Sequence, residues 1–249
     1  MILIGDIGNT ETKICIINSN YKILKRIILP TKKITKSNLN RYFSLIGRKK
    51  FLIKKSLFSS VVPNKFLLIK SILQKKFKIR CAELKNLNLK KIMKINVNRK
   101  QIGSDRLANS IAVISKKNNF IILDFGTATT FDVVIGKEYN GGVIAPGINI
   151  SLETLSKKAT LIPRINLIKV NKVVGTNTVA AVRSGFFLGY IGLINNIIKL
   201  IENETGKSFK IIATGGFSSL FINKLNSKIS IDKDITIKGL IRALKLTNF

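Results

Sequence analysis

Apolar positions along this 249-residue chain switch repeatedly between the short runs of strands and the three-to-four-residue spacing of helices. Residues 2–17 read I-L-I-G-D-I-G-N-T-E-T-K-I-C-I-I. Two β-rich stretches flank an Asp-x-Gly turn, which predicts a hairpin whose turn allows close backbone approach. Residues 121–135, I-I-L-D-F-G-T-A-T-T-F-D-V-V-I, repeat the pattern 118 positions later, with Asp124 matching Asp6, Gly126 matching Gly8 and Thr127 matching Asn9. Segments 56–62 and 78–81 read as further strands, and 65–78 as a helix through Phe66, Ile69, Ile72, Leu73 and Phe77. Ser104 is placed to cap a helix to about residue 115, with Leu107, Ile111 and Ile114 on one face. A long helix over about 177–204 is expected to bury Val179, Val182, Phe186, Tyr190, Leu193 and Ile197, and a strand at 211–213 leads into a Gly215-Gly216 turn.

Mixed elements in this order predict an α/β protein. The repeated hairpin predicts a duplicated, two-lobed architecture with the two turns facing each other across a cleft. The polar turn Lys116-Lys117-Asn118-Asn119 places the boundary, giving an N-terminal lobe at 1–117 and a C-terminal lobe at 118–249.

Composition narrows the chemistry. A hydrophobic content of 45% supplies a real core and excludes a disordered basic tail. With no His in the chain, any mechanism needing an imidazole base is excluded. Cys15 and Cys81, far apart, argue against zinc and give no disulfide framework, which fits a cytoplasmic setting. The start, MILIGDIGNT, lacks the basic region of a signal peptide. The longest uncharged run, 184–198, is too short to span a bilayer, so no membrane partner is expected. It contains Gly185, Gly189 and Gly192, which suit close helix packing, including packing across a dimer.

The formal net charge is +32, from 44 Lys+Arg against 12 Asp+Glu, and most of the excess lies in 22–100. Lys far outnumbers Arg, whereas base reading and bidentate phosphate capture favour Arg. The charge therefore reads as solvated surface rather than as a nucleic-acid face.

Where acids are so scarce, their positions matter. Four of the six Asp, at 6, 105, 124 and 132, lie in or beside the motifs above. One Asp-x-Gly turn could be a self-capping Asx-turn, but two matched ones favour function. Such turns bring Gly8 and Gly126 close to phosphate oxygens, with Asn9, Thr10, Thr127 or Thr129 as side-chain donors. Lys13 can place a point charge on a phosphate, and Asp6 can hold Mg²⁺ through water. Neither the P-loop nor the dinucleotide fingerprint is present. In Gly103-Ser104-Asp105-Arg106, Asp105 would sit in a first helical turn and could accept a proton from a hydroxyl attacking a phosphoryl group. Arg106 could bind a substrate carboxylate. Taken alone, this segment is equally an ordinary helix start. Thr214-Gly215-Gly216 can let a flat ring such as adenine pack on the backbone, though Gly-Gly also serves as a plain strand-to-helix turn.

These motifs together resemble type III pantothenate kinases, within the superfamily of actin, Hsp70-type ATPases and sugar kinases. The matches are Asp6-x-Gly8-Asn9-Thr10-x-x-Lys13, Gly103-x-Asp105-Arg106-x-x-Asn109, Asp124-x-Gly126-Thr127-Ala128, Tyr139-x-Gly141-Gly142-x-Ile144-x-Pro146-Gly147, Asn177-Thr178, Thr214-Gly215-Gly216 and Asp234-Ile235-Thr236-Ile237-x-Gly239-Leu240. They span nearly the whole chain. The resemblance implies a two-lobed actin-like (duplicated ribonuclease H-like) ATPase fold with a nucleotide cleft between lobes. It implies phosphorylation of pantothenate by ATP at the start of coenzyme A synthesis, in a cytoplasmic homodimer. It further implies Asp105 as proton acceptor, pantothenate contacts from 103–106 and Thr178, and ATP contacts from 6–13 and Thr127. Asp124 would help hold K⁺ or NH₄⁺. Asn96 and Arg99 stand where the family usually has Tyr and Pro. The alternatives are a kinase or ATPase of this fold with another acceptor, or a nucleic-acid-binding regulator on a degenerate kinase fold. Intact Asp6, Lys13, Asp105 and Asp124 argue against the last.

Overall fold

A computed structural model describes residues 1–48 and 53–247, with the side chains of 44–48 left out of the description. Two compact units emerge: Met1–Val113 with Asp234–Phe249, and Ile114–Lys233. The expected 117/118 division differs in two ways. The first crossover falls at 113/114, and the chain's final segment returns to the first unit. Its apolar face, including Ile235, Leu240, Ala243 and Leu244, is buried there, mostly against the helix that carries Asp105. Chain order could not reveal that return.

In the first unit, β1 (Ile2–Ile7), β2 (Glu11–Ile17) and β3 (Ile23–Pro30) form an antiparallel meander. Helix α1 (Lys36–Arg48) leads to β4 (Lys55–Ser60), helix α2 (Pro63–Phe77) to β5 (Arg80–Glu83), and β4 and β5 add in parallel beside β1. The sheet order is β3-β2-β1-β4-β5. Pro63 opens α2, where its missing N–H does no harm, and Lys78 in a left-handed conformation (φ 55°) closes it. One face of the sheet buries Leu3, Ile7, Ile14, Ile16 and Phe58 against α1 and α2. Residues of opposite parity, Ile4, Cys15, Ile17 and Leu57, are buried too. Both faces are covered, so these strands read as unbroken apolar runs rather than alternations. A short strand β6 (Lys94–Ile95) precedes α3 (Ser104–Val113).

The second unit repeats the plan. Strands β7 (Phe120–Phe125), β8 (Ala128–Ile135) and β9 (Glu138–Pro146) form an antiparallel meander. Helices α4 (Ile148–Lys158) and α5 (Thr178–Thr205) follow, and then β10 (Lys210–Gly215), α6 (Ser218–Phe221) and β11 (Ile229–Ile231). β10 pairs in parallel with β7, and β11 with β10. The order β9-β8-β7-β10-β11 mirrors β3-β2-β1-β4-β5 strand for strand. The final helix is α7 (Ile235–Leu246), in the first unit.

Helix α5 corrects one expectation. Its buried side is Ser184, Phe187, Tyr190, Ile194, Ile198 and Ile201. Of the residues expected inside, Tyr190 alone belongs to that set. Val182, Phe186, Leu193 and Ile197 pack at its margin, partly exposed. The helix is apolar around most of its circumference, so spacing alone did not fix which stripe faces the core. Among the described residues it is the one helix long and apolar enough to cross a membrane by length and composition, yet its Phe187, Ile194 and Ile198 are built into the core with Phe221 and Ile121.

Candidate active site

The hairpin register places Asp6 on β1 opposite Lys13 on β2, and beside Ser59 on β4. These are the carboxyl ends of parallel strands, where ligands bind in open α/β sheets. Asp6 is half-buried, and its Oδ1 is fully buried without a hydrogen-bond partner. Burial, reinforced by the neighbouring Asp105 carboxylate, pushes Asp6 up to about 7, against the opposing pull of Ser59 and Lys13. Two desolvated carboxylates in one place call for positive charge between them. Lys13 divides its charge between acids, since its Nζ also lies 3.8 Å from Glu11 Oε1 in a partly exposed pair.

The turn after Asp6 is tied down by Thr31, a residue that belongs to none of the sequence motifs. Thr31 donates its hydroxyl to the Gly8 carbonyl at 2.6 Å, its backbone N–H donates to Thr10 O at 2.9 Å, and its Oγ1 lies 2.8 Å from Thr12 Oγ1. The N–H of Gly8 itself closes the turn on Glu11 O at 3.0 Å. Gly8 therefore shapes the loop, and Asn9 and Thr10 beside it are exposed. No pattern around Pro30-Thr31 signals this role, which depends on β3 lying beside β2.

The acceptor segment also differs in detail from expectation. Leu107 N–H bonds to Gly103 O, so Gly103 caps α3 and Ser104 is its first helical residue rather than its cap. Asp105 folds back, with Oδ1 accepting from Arg106 N–H at 2.7 Å. A Cβ on Gly103 would sit 2.4 Å from that same Oδ1, so glycine is what leaves the carboxylate room. Burial raises Asp105 above the usual carboxylate range, while the Arg106 N–H and guanidinium pull the other way. A raised carboxyl facing solvent-poor surroundings suits proton acceptance. Glu83, which ends β5 and is 9% exposed, is a further acid that the motifs leave out. The signal available for it was a rare acid two residues beyond the expected strand at 78–81.

The second unit holds the other candidates. Asp124 on β7 faces Thr130 on β8 and is half-buried, while Gly126 and Thr127 are exposed. The N–H of Gly126 closes this turn on Ala128 O at 3.1 Å. Thr129, one expected donor, is buried with its hydroxyl unsatisfied, so Thr127 is the accessible hydroxyl. Behind the turn, a Cβ on Gly147 would lie 2.0 Å from Thr127 O, and Gly215, at φ +86°, has Phe125 O 2.5 Å from its Cβ position. Both glycines are required by close backbone approach. Gly216 is exposed with open space above it. Thr178 is exposed at the start of α5, whose N-cap Asn177 accepts from Ala180 N–H at 2.9 Å. Asn96 is exposed, and Arg99 is half-buried and donates to backbone carbonyls of Lys85 and Leu87.

A sequence model of the type III pantothenate kinase family matches residues 2–200. The chain belongs to the type III pantothenate kinase family. A type III pantothenate kinase of Pelagibacter ubique is 61% identical over 246 residues, covering 99% of both chains. One from Koribacter versatilis is 35% identical over 257 residues, covering 96% of this chain and 93% of its own. A glucokinase from an Antarctic psychrotroph shares the fold at a TM-score of 0.53 and 10% identity, covering 99% of each chain. A type III pantothenate kinase uses ATP to phosphorylate pantothenate in coenzyme A biosynthesis, and this chain has that activity and the two-lobed α/β kinase fold.

Proposed function

We propose that Asp105 is the proton acceptor of this kinase. As the primary hydroxyl oxygen of pantothenate bonds to the γ-phosphorus of ATP, its proton passes to Asp105 and the bond from phosphorus to the ADP oxygen breaks. The observation that carries this reading is the proximity of two desolvated carboxylates, Asp105 in the first turn of α3 and Asp6 near the end of β1. Gly103, Ser104 and Arg106 bind pantothenate beside it, with Arg106 pairing the substrate carboxylate, and Thr178 adds a contact.

ATP phosphates are met by Asn9, Thr10 and Lys13 and by Thr127, on turns shaped by Gly8 and Gly126, and the adenine lies on Gly215 and Gly216. Mg²⁺ fits at Asp6, whose buried Oδ1 has no partner; when bound, the ion neutralises charge on the phosphates. Asp124 holds the monovalent cation, K⁺ or NH₄⁺. The enzyme is a cytoplasmic homodimer, and the exposed Gly185, Gly189 and Gly192 of α5, open to approach, support a close helix contact.

The test is ATP consumption with pantothenate, Mg²⁺ and K⁺, each omitted in turn. Turnover is expected to need all three. ATP use that ignores pantothenate would point to a different acceptor.

A further inference from the structure

Asp105 follows a segment that a chain of hydrogen bonds stitches to a second one. Glu83 Oε2 accepts from Lys85 N–H at 2.9 Å. Lys85 Nζ reaches forward to Lys100 O at 2.7 Å. Arg99 returns the tie, donating to Lys85 O at 2.7 Å and to Leu87 O. Asn98 closes the turn over 99–101 by accepting from Lys100 N–H at 3.1 Å, and the chain then runs through buried Ile102 into Gly103 and Ser104. There the segment comes back to Glu83. Glu83 Oε1 and Ser104 Oγ are both buried and neither makes a hydrogen bond, yet the Ser104 hydroxyl lies near enough, with the Lys85 N–H, to hold the Glu83 carboxyl down against the burial that raises it.

Two buried polar atoms left unpaired are costly, and closing the Glu83–Ser104 pair removes both at once. Closure would hold Ser104 in place, and with it the first turn of α3, where Asp105 accepts from Arg106 N–H. None of these residues needs to touch substrate to do so.

We propose that Glu83 and Arg99 are positioning residues that brace the 98–104 segment, so that Asp105 is held where it meets the pantothenate hydroxyl. This rests on Asp105 being the proton acceptor. The experiment compares Glu83→Ala, Arg99→Ala, the double variant, Glu83→Gln and Asp105→Asn, reading kcat, the KM for ATP and ATP binding. Misplacement of a reacting group by about 1 Å lowers rate by up to about 100-fold, so each alanine variant should lose about 10- to 100-fold in kcat. Because the phosphate groups lie on other elements, the KM for ATP should stay within about twofold, and ATP binding serves as the check that each variant is folded. Residues of one network are non-additive: the double variant should be no slower than the slower single. Glu83→Gln keeps an acceptor oxygen and should recover most of the rate.

Near-normal kcat in Glu83→Ala alongside an inactive Asp105→Asn overturns the brace and leaves the acceptor standing. Losses that multiply in the double variant, or a KM for ATP that rises in step with the loss of kcat, also overturn it, since general destabilisation would do either. Normal turnover in Asp105→Asn overturns the acceptor assignment and the brace with it.

Discussion

The two hairpins share a sequence pattern and a strand plan, yet their turns are held in place by different means. The first, after Asp6, is tied by a side chain: the Thr31 hydroxyl reaches the Gly8 carbonyl from the turn that follows β3. The second, after Asp124, is backed by main chain, with Gly147 and Gly215 pressed against the carbonyls of Thr127 and Phe125. The acids differ in the same direction. Both acids are half-buried, but Asp6 has a fully buried oxygen and is driven up to about 7 by burial and by the Asp105 carboxylate beside it. A repeated motif thus fixes where an acid and a turn occur, while the neighbours decide how desolvated that acid is.

The largest expected effect isolates the first unit's share of the chemistry. Asp105→Asn should lower kcat by about 10²–10⁴, the usual worth of a positioned base, with ATP binding retained in a titration. Next comes the direct contrast of the two acids. Asp6→Asn should reduce kcat/KM for ATP at least about tenfold more than Asp124→Asn, a difference of about 1.4 kcal/mol in barrier. The two should part in their ion dependence as well: the Asp6 variant shifts the Mg²⁺ titration, the Asp124 variant the K⁺ titration. Equal ion profiles would erase the proposed division between the hairpins.

The glycines give a stability contrast. Gly147→Ala forces a Cβ to 2.0 Å from a backbone oxygen and should destabilise by about 1–3 kcal/mol, as overpacking does, seen as a lower urea midpoint. At Gly8 the nearest atom to a new Cβ is Glu11 O at 3.0 Å, so Gly8→Ala should cost less. If Gly8→Ala proves the worse of the two, the second turn is not braced as described.

The smallest effect is a pH dependence in the first unit. Burial raises Glu83, so the folded protein holds that proton more tightly than the unfolded chain does. Stability from this group is complete below about pH 4, the ordinary carboxyl range, and is lost as pH rises through the folded value. Wild type should therefore decline relative to Glu83→Gln as pH increases from about 4, then level off, in thermal melts across the series. A flat difference would show that Glu83 is not raised.

Much of the candidate site was legible because the chemistry proposed for it sits in local turns. Asp6, Gly103, Asp105 and the second Asp-x-Gly turn are short-range patterns, and scarce acids made them stand out. What stayed hidden depends on distant strands and helices. Thr31 acts only because β3 pairs with β2, and Glu83 only because β5 ends beside the start of α3. Ser104 has the residue type of a helix cap, but it is the first residue of α3 and its hydroxyl is buried near a carboxylate brought from twenty-one positions earlier.

The sequence by itself determined the alternation of strands and helices, the duplicated hairpin, and the acids able to take a proton or attract a cation, since backbone propensity and turn chemistry are local. Tertiary structure decided which stripe of α5 is buried, that α7 returns to the first unit, and which carboxylates lose their water. Those outcomes depend on what covers each surface, and burial is a property of neighbours far apart in the chain.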